Sequence, residues 1–221
     1  LTFAVGIIAI LALIAVIIYT VRRVRSGAPI RYSILLLGLA PLVGTFAQAV
    51  LGGITVLTGL HPATVGLHFL VSIALIAAAV ALVARSRDTG DTPIVFLVGK
   101  PVRMFTWAMI AVTALVVIMG VITTGSGPHS GDAESELRFP FDPRTVSWLH
   151  ADLVFLFIGM LVGYLIMLRL TKAPTTTWRI ARLLVLITVV QACVGYFQYF
   201  TGLPVLAVTV HVTLACLLWI T

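Results

Sequence analysis

Apolar positions run through this chain in long, nearly unbroken stretches, separated by short segments where charged and helix-capping residues gather. The stretches fall roughly at 1–21, 32–57, 63–84, 102–123, 144–169, 179–200 and 204–221. A helix of about 20 apolar residues spans a hydrocarbon core of about 30 Å, and these runs match that length. None alternates with the period of two that a barrel strand of about ten residues needs. The pattern predicts seven helices and an all-α fold, a polytopic membrane helix bundle. Leu1 is not a start methionine and Thr221 stops inside apolar sequence, so the end runs read as truncated helices of a longer chain. The first run is not a signal peptide, because Arg22, Arg23 and Arg25 follow it and no small-residue cleavage site appears.

Composition agrees: 61% of residues are hydrophobic, 10% are charged, and the mean hydropathy is +1.17. An ordinary soluble domain is excluded. The net charge of +7 is explained by where the basic residues fall. Arg22, Arg23, Arg25 and Arg31 follow the first run; Arg85, Arg87, Lys100 and Arg103 lie between the third and fourth; Arg169, Lys172, Arg179 and Arg182 lie between the fifth and sixth. Only Arg138 and Arg144 lie on the opposite side. By the positive-inside rule the larger group is cytoplasmic. The charge therefore reflects topology, and nucleic acid is not an expected partner.

The opposite side carries two short connections and a longer loop, about 124–142, with Asp132, Glu134 and Glu136. Cys193 and Cys216 both sit in apolar helices without metal-ligand spacing, and read as small hydrophobic residues. All five histidines, His61, His68, His129, His150 and His211, belong to this outer half. Pro143, after the cap residue Asp142, fits a first helical turn, as do Pro62 and Pro204. His68, His150 and His211 follow these starts by six or seven residues, which puts each imidazole about 10 Å down its helix.

Two of these histidines close a repeat. QAVLGGITVLTGLHPATVGLH runs from Gln48 to His68, and QACVGYFQYFTGLPVLAVTVH from Gln191 to His211. Gln-Ala, the following Gly, Thr-Gly-Leu and the terminal His are in register, which implies two related halves. The expected division is 1–90, a first-half bundle, and 91–221, a second-half bundle. A lone helical histidine is most often a packing residue, and intramembrane histidines also serve proton relays. Two at matched depth on separate helices can instead supply both axial bonds of a haem iron. Zinc would want further N or S ligands. The reading favoured is haem ligation by His150 and His211, with His68 as a matching ligand in the first half whose partner is absent from the first helix. Arg138 and Arg144 could pair with haem propionates. Asp152, two residues after His150, does not share its helix face.

The chain at this point resembles the haem A synthases of respiratory bacteria and mitochondria, in particular actinobacterial-like members. The likeness covers nearly the whole chain and is carried by 48–68, by TTGSGPHSGD at 123–132, by WLHAD at 148–152 and by the segment from Gln191 to His211. It implies eight helices in two pseudo-symmetric four-helix halves, the first helix missing here. It implies a b-type haem (haem b) between His150 and His211 as cofactor, and haem O as substrate at His68, these histidines ligating the haem irons. The implied reaction oxidises a methyl group of haem O, through hydroxylated intermediates, to the formyl group of haem A for cytochrome oxidase. A catalytic acidic residue and the partner of His68 would precede Leu1. Some family members have paired cysteines in an outer loop; 124–142 has none.

Implied partners are membrane lipid, a haem O synthase as substrate supplier and an electron donor that the sequence does not identify; a homo-oligomer is compatible with the pattern. The implied location is the bacterial plasma membrane, multi-pass, with the histidine sites toward the outer face. The alternatives are a non-catalytic electron-transfer cytochrome b and a duplicated transporter. A repeat of this kind keeps both halves in one orientation, unlike an inverted-repeat transporter.

Overall fold

Each apolar run forms one helix, because in a hydrocarbon environment a helix satisfies every backbone N–H and C=O within its own segment. The computed structural model describes residues 2–87, with side chains from Gly6 on, 95–128, 130 and 137–221. In order the helices are α1 (Thr2–Arg25), α2 (Tyr32–Leu57), α3 (Pro62–Ser86), α4 (Lys100–Ser126), α5 (Pro143–Leu170), α6 (Thr175–Phe200) and α7 (Val205–Ile220). No strand occurs among the described residues. Among the described residues six helices are long and apolar enough to cross a membrane, and α7 is shorter at 16 residues. This is a multi-pass membrane protein.

Several helices continue past the apolar run into basic sequence. α1 takes Arg22, Arg23 and Arg25 into its last turn, where cations complement the C-terminal end of the helix dipole. α6 begins at Thr175, so Arg179 and Arg182 are helical; their long stems allow the charged heads to reach a polar boundary while the helix enters an apolar one. Asp142 caps α5 as its position suggests. Its Oδ2 accepts from the Thr145 N–H at 2.8 Å and from the Thr145 hydroxyl at 2.7 Å. Those hydrogen bonds hold its carboxyl below the ordinary carboxylate range. Pro143 occupies the first helical turn, where a missing N–H costs nothing.

The chain forms two compact units, Leu1–Ile94 and Val95–Thr221. The boundary expected at 90–91 lies outside the described residues, as do His129, Asp132, Glu134 and Glu136. In the first unit α2 packs between α1 and α3. Small residues permit the close approach: a Cβ on Gly38 would stand 2.7 Å from Val16 Cγ2, and one on Gly44 would run into the Leu75 side chain. Arg31, buried before α2, donates from its guanidinium to the Arg85 carbonyl at 3.0 Å and so ties the start of α2 to the end of α3.

In the second unit α4 packs along α5 and α6 along α7, while α5 and α6 touch only sparingly. Two apolar clusters join the pairs. Val102, Leu168 and Ala181 form one at the basic helix ends. Met109, Phe157 and Leu161, with Leu184, Val185 and Leu218 against them, form the next layer up. Neither cluster includes a histidine. The floor of the unit is therefore packed hydrocarbon, and His150 and His211 come nearer the other end.

Candidate functional site

The second unit brings together the two histidines that the sequence singles out. His150 from α5 and His211 from α7 face one another with ring centres 6.4 Å apart and planes at 69°. Both Nδ1 atoms are buried and have no hydrogen-bond partner.

Each ring rests on a glycine of the preceding helix. A Cβ on Gly120 of α4 would lie 3.3 Å from His150 Cε1 and 3.8 Å from its Nδ1. A Cβ on Gly195 of α6 would lie 3.1 Å from His211 Cε1 and 3.6 Å from its Nδ1. With no side chain there, each imidazole settles onto the backbone of its neighbour. The Val116 carbonyl lies beside His150 and the Gln191 carbonyl beside His211, each one turn before the glycine. Neither reaches full hydrogen-bond geometry. The Nδ1 edge of each ring thus faces its supporting helix, and Nε2 is the nitrogen left to bind a metal.

The histidine-bearing helices are also pinned through their backbones. Gln191 Nε2 donates to the His211 carbonyl at 3.1 Å. Thr123 of α4 donates from its hydroxyl to the Met119 carbonyl at 2.8 Å and to the Val146 carbonyl of α5 at 3.2 Å. Val146 precedes His150 by one turn, so the bond fixes the height of that ring.

The α2–α3 hairpin of the first unit has the same construction. Gln48 Nε2 donates to the His68 carbonyl at 3.0 Å, a Cβ on Gly52 would lie 3.7 Å from His68 Cε1, and His68 Nδ1 is buried without a partner. The turns match too. Gly59 and Leu60 have φ of 64° and 57°, and Gly202 and Leu203 have 78° and 59°. In each hairpin the leucine N–H reaches back to close the helix end, Leu60 to the Thr55 carbonyl at 2.9 Å and Leu203 to the Gln198 carbonyl at 2.7 Å. The repeated letters are thus a repeated mechanical unit.

No family model matches this chain, and no curated protein does. The chemistry of the site rests on its own residues.

Those residues suit an iron held in a planar macrocycle. A metal–imidazole bond of about 2 Å puts a ring centre about 3 Å from the metal, so two imidazoles on opposite faces have centres about 6 Å apart. The His150–His211 separation of 6.4 Å fits that arrangement. No group of three or more His, Cys, Asp or Glu side chains comes together among the described residues, whereas a protein zinc site draws on three or four such donors.

The other candidates have local roles. His61 caps α3, its Nδ1 accepting from the Ala63 N–H at 3.2 Å. Arg138 donates to Ser130 Oγ at 2.5 Å, to the Leu137 carbonyl at 2.7 Å and to the Pro128 carbonyl at 3.2 Å, gathering the connection between α4 and α5. Arg144 lies over the Trp148 ring, 5.1 Å from its centre, at the kind of helix start where an aromatic belt forms. Asp152 is exposed, while His150 is half-buried. Cys193 and Cys216 are free thiols. Gly120 falls inside the apolar run 102–123 and Thr123 opens TTGSGP, and nothing in the sequence says which way either faces.

Proposed function

We propose that the chain is a haem A synthase of the bacterial plasma membrane, its basic helix ends cytoplasmic and its histidines toward the outer face. In this reading His150 and His211 hold haem b, and His68 binds the iron of the substrate haem O. The observation that carries it is the facing pair of imidazoles, each seated on a glycine with a partnerless Nδ1. The matching His68 cradle supports a second haem-sized ligand in the first unit. The positive-inside distribution supports the orientation.

Haem b supplies one-electron transfer when bound. The residues of the chain bind and orient. His150 and His211 give two neutral nitrogen ligands from separate helix pairs, so the cofactor also joins those pairs. The floor of Met109, Phe157 and Leu161 keeps the cytoplasmic side of that layer dry, which favours a low-dielectric redox site. His68 fixes the substrate by its iron and leaves the macrocycle edge, where the methyl group sits, to be presented for oxidation to the formyl group. The electron donor and a haem O synthase supplying the substrate are partners of this reading.

The test is conversion. The purified protein, in a form that includes any segment preceding Leu1, is incubated with haem O and a reductant in air, and the extracted haems are weighed by mass spectrometry. Haem A should accumulate, and His68→Ala should abolish it while keeping haem b. Stable low-spin haem in both units with no conversion would instead establish the electron-transfer cytochrome, which the likeness of the His68 and His211 cradles favours as the second reading.

A further inference from the structure

We infer that Gln48 and Gln191 are positioning residues, each holding the backbone of its paired histidine and so setting the height and rotation at which the ring meets the ligand site. The inference rests on the haem reading above. It concerns residues that touch neither iron nor macrocycle.

The bond is the same in both hairpins: the amide N–H of the glutamine donates to the carbonyl of the histidine itself, at 3.0 Å in one and 3.1 Å in the other. A helical carbonyl already accepts the N–H four residues on, and its second lone pair is available to a side chain. The glutamine uses that second site without breaking the ligand helix. It thereby fixes the height and rotation of α3 against α2, and of α7 against α6, at the residue whose side chain points to the ligand site. The glycine one turn along lets the ring down onto the helix that carries the glutamine. His211 is thus held through its carbonyl by the Gln191 amide, while its ring rests on Gly195 one turn further along the same helix.

A glutamine kept only to satisfy itself would pair both ends of its amide. Here Oε1 is buried without a partner in Gln48 and in Gln191. An unsatisfied buried acceptor costs stability. Its recurrence in both hairpins means the side chain is retained for its N–H. Partners outside the metal shell orient ligands in this way, here through the backbone that carries the ring.

The experiment uses the full chain in detergent, labelled with ¹⁵N-histidine, in wild-type, Gln191→Met, Gln191→Asn and Gln48→Met forms. Methionine keeps the length and removes the donor; asparagine keeps an amide too short to reach. Wild type should show one set of His211 ring resonances, the mark of a single ring placement. Both Gln191 variants should split or broaden that set and bind haem b about tenfold more weakly, with a shifted reduction potential. Gln48→Met should change the His68 resonance and leave haem b affinity unchanged. If both Gln191 variants keep the wild-type His211 resonances and affinity, the inference is overturned. Wild type that binds no haem would sink the haem reading alone, since the ¹⁵N ring resonances would still decide the role of Gln191.

Discussion

The two histidine hairpins share a turn, a glutamine clamp and a glycine seat, yet their surroundings differ. In α6–α7 the seat is tight, since a Cβ on Gly195 would stand 3.1 Å from the His211 ring, and a second imidazole faces that ring. In α2–α3 the seat is looser, since a Cβ on Gly52 would stand 3.7 Å from His68. The only other histidine of that unit, His61, is a helix cap. The clamp also differs. Gln48 Nε2 reaches Ser72 Oγ at 2.6 Å as well as the His68 carbonyl, and the Ser72 hydroxyl donates to the same carbonyl at 2.9 Å. The corresponding position in α7 is Ala215. On the proposed function one construction serves two purposes. A fixed pair of rings suits a resident cofactor, whereas a looser ring on a doubly secured backbone suits a ligand that arrives and leaves.

Removing a ring gives the largest expected effect. His211→Ala should strip haem b from the purified protein, as should His150→Ala, with loss of the visible band at full protein yield; equal loss in His68→Ala would erase the distinction between hairpins. Filling a seat comes next. Gly195→Ala and Gly120→Ala force a ring to move by tenths of an ångström in a packed site, and overpacking of this kind costs about 1–3 kcal/mol. Haem titrations should rank Gly195→Ala and Gly120→Ala well below wild type, with Gly52→Ala near it. A Gly52→Ala defect in haem b as large as that of Gly195→Ala would contradict the tight-and-loose comparison. Weaker again is Ser72→Ala, which leaves the Gln48–His68 bond in place. It should lower affinity for the ligand of the first unit a fewfold and leave the haem b spectrum untouched.

The smallest effect concerns the helix that brings His150. The Asp142 carboxyl is held below its ordinary value of 3.8 by the Thr145 hydroxyl and N–H. A depressed folded-state value means the cap contributes above that ordinary value and is lost as pH falls through the lowered one. Melting curves of wild type and Asp142→Asn should therefore differ at neutral pH and converge on strong acidification. A difference that persists unchanged in strong acid would show that the carboxylate is not the source.

Much of this was legible in the sequence because the bilayer allows few solutions. Apolar runs such as 102–123 can only become helices there, and Asp142-Pro143 marks a start by local chemistry alone. The Gln, Gly and His of each hairpin were visible because repetition exposed them. The pairing of Gly120 with His150 was not, since nothing repeats it and a long connection intervenes. An apolar helix with hydrophobic residues on every side gives no sign of which face meets its neighbour. The helix limits shifted for a related reason: hydropathy ends at the last apolar residue, but the hydrogen-bond ladder of α1 continues to Arg25.

The short turns at Thr58–His61 and Thr201–Pro204 carry a consequence for biogenesis. Each links glutamine, glycine and histidine within one contiguous segment, so a cradle can assemble as soon as its own two helices are inserted, through contacts close in sequence that form early. The facing rings of the second unit need α5 as well as α7, so the pair is complete only once α7 has followed α5, the last of these contacts along the chain.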